Sequence, residues 1–226
     1  MYYYLYVSKP NRIEPEPHNT FGYTTYTVED SALLACRAMI KKGFQAFVYK
    51  TAGTATAELT PKLLDYPDES IAFILVHEAV HRQITAMHMK PRYPYYFEEC
   101  LCDAMANKAC MEMADKLHIL NLKAAADQKQ IFENTYAYLN RQRAKLDSSG
   151  VRGQTKIFME TTARIKQLVQ QGNQFQKDRM IYSVNNAYFL RIESYAAHYF
   201  EVKKLLYSGK SLTEAISIIY KKEKGK

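Results

Sequence analysis

Up to about residue 66 the apolar positions come in short dense runs, and beyond it they recur every three or four residues. Residues 1–7, Met-Tyr-Tyr-Tyr-Leu-Tyr-Val, are strand formers, and Pro10 with the Pro15–Pro17 stretch then breaks the chain. Thr27-Val-Glu-Asp30 has the form of a capping box: the Thr hydroxyl can accept from the third amide of a helix while the acidic groups face its positive end. The helix it opens runs to about Lys42 and stops at Gly43. Phe44–Tyr49 reads as a short strand, and the small, polar stretch Thr51–Thr60 fits either a loop or an edge strand.

Pro67-Asp68-Glu69 is a helix start, and Ile71, Ile74, Leu75 and Val76 carry that helix forward until it ends before Pro91. A second helix is predicted from near Pro94 through Glu98, Glu99 and Asp103 to about Leu122. Further on, Phe132, Tyr136 and Leu139, then Ile157, Ile165, Leu168 and Val169, then Leu212, Ile216 and Ile219 keep the helical interval, with breaks at Ser148-Ser149-Gly150 and near Asn185. No internal repeat is visible. The pattern implies an α+β, predominantly helical chain forming one domain over 1–226, with a small β/α portion at 1–66 and a helical portion at 67–226.

Composition narrows the class without changing it. At 226 residues, with 47% apolar and 24% charged residues and only 8 Gly and 7 Pro, the chain can bury a core and is not low-complexity. The net charge of +8 is spread in short pairs such as Lys41-Lys42 and Lys203-Lys204, which reads as solvated surface and makes nucleic acid an unfavoured partner. Lys221–Lys226 reads as a frayed tail. Cys100, Cys102 and Cys110 fall on one predicted helix, which argues against a two-disulfide framework. No stretch approaches the roughly 18 apolar residues of a membrane span. No leader opens the chain, so it reads as cytoplasmic, or as envelope or periplasmic had an N-terminal segment been trimmed. Oligomeric state is not legible.

The chemistry lies in His77-Glu78-Ala79-Val80-His81. On a helix, residues four apart share a face about 6 Å apart along the axis, so two imidazoles can converge on one ion at about 2.1 Å. Glu78 is rotated by about 100°, too far to be an equal ligand but close enough to reach a water on the metal. His88 is excluded as third ligand because a seven-residue step carries it about 10.5 Å further along the helix. Glu99, from a helix packed across the first, can supply the third ligand. Asp103, one turn later on the same face, can accept from the free nitrogen of a ligating histidine. Glu98 competes with Glu99, but a 98/103 pair drifts off the common face. Cys100 and Cys102 point to nearly opposite sides of their helix, cannot both join the histidines, and read as packing residues.

These features resemble a gluzincin, the zinc peptidase class with HExxH and a glutamate from a following helix. More narrowly they are similar to a bacterial family described as predicted aminopeptidases, through His77-Glu-Ala-Val-His81 and Phe97-Glu98-Glu99, with Glu98 where that family carries Asn. The likeness extends through Gly22-Tyr-Thr-Thr-Tyr, Lys42-Gly43-Phe44, and Val184-Asn185-Asn186-Ala187 followed by Tyr195 and Phe200.

The resemblance implies a zincin-like fold in which the HExxH helix is crossed by a second ligand-bearing helix. It implies one Zn²⁺ per chain held by His77, His81 and Glu99, a peptide or protein substrate, Glu78 as general base and Tyr195 as oxyanion donor. Arg191 and His198, one turn before and after Tyr195, are further candidates for oxyanion or substrate contact. The Thr51–Glu58 segment is either a surface loop or an edge for an extended peptide. A metal-binding or interaction module without catalysis is the competing expectation.

Overall fold

The computed structural model of the chain describes residues 2–15, 23–51, 61–86, 96–172 and 184–224. The protein is α+β and mostly helical, with one small antiparallel sheet. Strand β1 (Tyr2–Ser8) is central, flanked by β2 (Tyr23–Tyr26) and β3 (Gln45–Thr51). Tyr6 is registered against Tyr23 on one side and Phe47 on the other. Side chains alternate across the pleat, so the dense tyrosine run serves two faces. Leu5, Val7 and Ala46 turn towards α1 (Glu29–Lys41), packing with Ala35, Cys36 and Met39. Tyr6, Phe47 and Tyr49 turn towards the helical body and join its main core.

The first helix starts differently from the expected capping box. Its N-cap is Val28, not Thr27, and no side chain caps it. Tyr3 Oη instead donates to Glu29 at 3.1 Å, so tertiary contact with β1 fixes the first turn. Its end follows expectation: Gly43 takes φ +87°, and the amides of Gly43 and Phe44 return to the carbonyls of Ile40 and Met39.

A short 3₁₀ helix (Pro61–Asp65) leads into α2 (Asp68–Ala86), which packs on α3 (Tyr96–Asp115). The third helix stops well short of Leu122. His118 enters the left-handed region at φ +55°, and Asn121 then caps α4 (Leu122–Asp147), its side chain accepting from the Ala124 amide at 3.0 Å. The predicted break at 148–150 separates α4 from α5 (Val151–Gln170).

Asn185 caps α6 (Asn186–Ala196), which is followed by α7 (Tyr199–Tyr207) and α8 (Leu212–Lys224). Ser211 and Glu214 form a reciprocal capping box at the start of α8. That helix runs to Lys224, past the point where a frayed tail is predicted.

Helix α3 is the hub. Cys100, Leu101, Cys102, Asp103, Ala104 and Ala106 are all buried, because α2, α4, α6 and α7 surround it. One core runs from Tyr6 and Phe47 through these helices to Ile216. Asn186 ties the sheet to this body: its amide nitrogen donates to the carbonyls of Lys9 and Pro10, while Asn185 donates to the Ala46 carbonyl. All four cysteines are free thiols. Among the described residues, no helix is long and apolar enough to cross a membrane.

Candidate metal centre

Helix α2 presents His77 and His81 on one face, and α3 lies across them with a stripe made of Glu98, Glu99, Cys102 and Asp103. The stripe follows from helix geometry: at about 100° per residue these four fall within about 140° of one another, in the angular order 98, 102, 99, 103.

Both rings are held by carboxylates at the same nitrogen. His77 Nδ1 is 2.8 Å from Asp103 Oδ1, and His81 Nδ1 is 2.7 Å from Glu98 Oε1. Asp103 is fully buried and is itself held by the Tyr136 hydroxyl from α4, which donates to Oδ2. An ionised carboxylate can only accept, so with the carboxylates ionised each Nδ1 carries a proton, and a ring in its neutral form then offers its Nε2 lone pair.

The two Nε2 atoms face each other at 3.2 Å. The Glu99 carboxylate approaches them at 3.3 Å from His77 Nε2 and 3.6 Å from His81 Nε2. Two nitrogen ligands at about 2.1 Å from a tetrahedral ion stand about 3.4 Å apart, so the spacing of these three groups fits one small cation. Their chemistry fits as well, because lone pairs and a carboxylate brought this close repel unless a cation or protons lie between them. Without a metal, protons take that role. Burial pulls the pKa of His77 down, but Asp103 and Glu99 together raise it above the ordinary imidazole value. His81 is likewise pulled down by burial and raised further by Glu99, Cys102 and Glu98. Burial pushes Glu99 up, yet the two histidines hold its carboxyl well below the usual range.

Glu78 lies beside this cluster. Its Oε2 is buried with no hydrogen-bond partner among the described residues, whereas Glu99 Oε2 lies 3.3 Å from His77 Nε2. Burial raises the Glu78 pKa and Glu99 adds to the rise, while His77, His81 and Arg82 oppose it. A carboxylate poised in this way can take up a proton. From β1, Tyr4 stands close enough to feel the charges of Glu99 and Glu78. Burial above all, and then Tyr23 and these glutamates, raise its pKa.

His77, His81, Glu99 and Asp103 are therefore assembled together, and Glu98 meets the outer nitrogen of His81 rather than the Nε2 pair. Cys102 is fully buried in the core, as its packing reading implies, but it also lies beside the two histidines. One ring nitrogen of each histidine and Cys102 Sγ lie within 4.8 Å of one another. Its burial pushes the thiol up to about 12 against the pull of His81. The argument that Cys100 and Cys102 cannot both reach the histidines leaves room for one of them. The usable signal was the three-residue step from Glu99 to Cys102, which shares a helix face. Nothing local in the sequence marks Tyr136, which arrives from a distant helix.

The second group of candidates is arranged otherwise. Arg191 is buried, its guanidinium 3.8 Å from the Tyr49 ring centroid and 4.8 Å from that of Tyr195. Cys100 Sγ donates to the Ser194 carbonyl at 3.2 Å, which sets the turn carrying Tyr195 against the start of α3. His198 does not continue that face: α6 ends at Ala196 and His198 is the N-cap of α7, with Nδ1 3.7 Å from Glu201. The segment after Thr51, read as a surface loop or a peptide edge, and the excluded His88 lie outside the described residues. A separate pocket of about 250 Å³, lined by Leu139, Arg143, Phe189 and Glu193 among others, shares no residue with the cluster. Comparison with protein-family models, with curated proteins and with solved structures returned no match for this chain.

Proposed function

We propose that this protein is a zinc-dependent peptidase of zincin-like fold, in which His77, His81 and Glu99 would hold the ion and Glu78 acts as general base. The observation that carries the reading is the convergence of two Nε2 atoms and a carboxylate, with both Nδ1 atoms locked from behind and an unpartnered buried oxygen of Glu78 alongside. A bound Zn²⁺ would acidify water and polarise the scissile carbonyl.

The residues do the rest. Asp103, braced by Tyr136, and Glu98 fix the two rings in the tautomer and orientation that leave Nε2 free. Glu78 takes the proton of the attacking water and delivers it to the leaving amine; its upward-shifted pKa suits that exchange. Tyr195 is the proposed oxyanion donor, oriented by the Arg191 guanidinium stacked against its ring. The substrate is a peptide or protein, and aminopeptidase action is the form suggested by the family resemblance.

Metal analysis combined with cleavage of a mixed peptide library tests the reading. The wild type should carry about one zinc and give products, whereas Glu78→Gln should keep the zinc and lose at least about a hundredfold in rate. Full activity of Tyr195→Phe on the same peptide would remove Tyr195 from the mechanism. A second reading, a metal-binding module without catalysis, draws on the placement of Cys102 beside the histidines. Zinc bound with no cleavage of any peptide would favour it.

A further inference from the structure

Three buried cysteines lie on α3, and their sulfurs are used differently. Cys100 Sγ donates to the Ser194 carbonyl at 3.2 Å, and Cys110 Sγ lies 3.7 Å from the Glu69 carbonyl. Those two thiols tie α3 to neighbouring backbone. Cys102, fully buried, instead projects from between Glu98 and Glu99 towards the two imidazoles, with its Sγ inside the 4.8 Å group they form. A side chain needed only to fill that space could be alanine, as at neighbouring Ala104 and Ala106.

We propose that the Cys102 thiolate is a fourth protein ligand, converting a His-His-Glu face that leaves one position for water into a closed His-His-Glu-Cys set in the resting protein. The proposal rests on the zinc-site reading above. Zinc binds sulfur at about 2.3 Å and imidazole nitrogen at about 2.1 Å, so an S···N separation of about 3.6 Å is required, which the 4.8 Å grouping of His77, His81 and Cys102 admits; Glu99 stands outside that grouping and meets the same histidines at 3.3 and 3.6 Å. Four protein ligands are the signature of a structural or resting site, and three plus water that of a working one. Cys102 thus sets the fraction of protein able to bind water, and its thiolate biases the site towards zinc over oxygen-preferring ions.

The test uses the full chain loaded with Co²⁺. The wild type should show thiolate-to-cobalt charge-transfer absorption in the near ultraviolet. Cys102→Ser and Cys102→Ala should lose that band while keeping visible d–d bands, and Cys100→Ser should retain it. Zinc affinity, measured against a chromophoric chelator, should fall at least about tenfold in both Cys102 variants. Visible bands without charge transfer in the wild type would overturn the proposal and leave the three-ligand reading standing. Metal uptake unaffected by His77→Ala and His81→Ala would instead overturn the site itself, and this proposal with it. The wild-type spectrum decides the matter even if one Cys102 variant fails to fold.

Discussion

The start and the middle of α2 bury polar groups in opposite ways. At its start, Ser70 donates to Gln128 Oε1 at 2.7 Å, Gln128 Nε2 donates to the Glu69 carbonyl at 3.3 Å, and Glu69 Oε1 accepts from the Asn121 amide at 3.1 Å. Donors and acceptors match there, and the network docks α2 against the start of α4. Two turns later, His77, His81, Glu99 and Glu78 bring acceptors together, and among the described residues the buried Oε2 of Glu78 has no hydrogen-bond partner. A balanced network holds a fold, whereas a surplus of acceptors calls for a cation. On this reading the same helix serves structure at its start and the proposed metal site at its middle.

If that contrast is right, variants at the two places should separate cleanly. The largest effect is expected for His77→Ala or His81→Ala, which should weaken zinc binding by more than about a hundredfold, since ligand loss should exceed the loss of a supporting hydrogen bond. Isothermal titration against a competing chelator measures it. Next comes Asp103→Asn, which keeps the size of the side chain but weakens the hold on His77 Nδ1. Zinc affinity should drop about 10- to 100-fold, with Tyr136→Phe shifting it in the same direction. Unchanged affinity in both would show that the buried brace behind His77 serves packing alone. The smallest effect belongs to the start of the helix: Gln128→Ala removes its hydrogen bonds to Ser70 Oγ and the Glu69 carbonyl and should cost about 1–3 kcal/mol in urea unfolding. Its metal affinity should stay as in the wild type, and a parallel loss would erase the distinction between the two places.

The parts of this molecule that follow a period were legible from the chain. The strand-forming run of residues 1–7, the Gly43 helix end, the 148–150 break and the boundary near Asn185 appear close to where the sequence predicts them, the strand as Tyr2–Ser8. The misplaced boundaries have separate causes. Helix α1 starts without a side-chain cap because Tyr3 reaches Glu29 across the sheet, α3 ends early because His118 adopts a left-handed turn that usually falls to glycine, and a break at 197–198 separates His198 from Tyr195. Local propensity does not register such contacts.

The sequence by itself determined the spacing of the donors: four residues between His77 and His81, four between Glu99 and Asp103, each fixed by the 3.6-residue turn. Only the tertiary structure decided which atoms meet. The way α3 lies across α2 pairs Glu98 and Asp103 with the outer ring nitrogens, turns Glu99 to the inner pair, places Cys102 among them, and brings Tyr136 from α4 to brace Asp103. Helical periodicity fixes what one face presents, but how two faces are rotated against each other is set by the packing of the whole core.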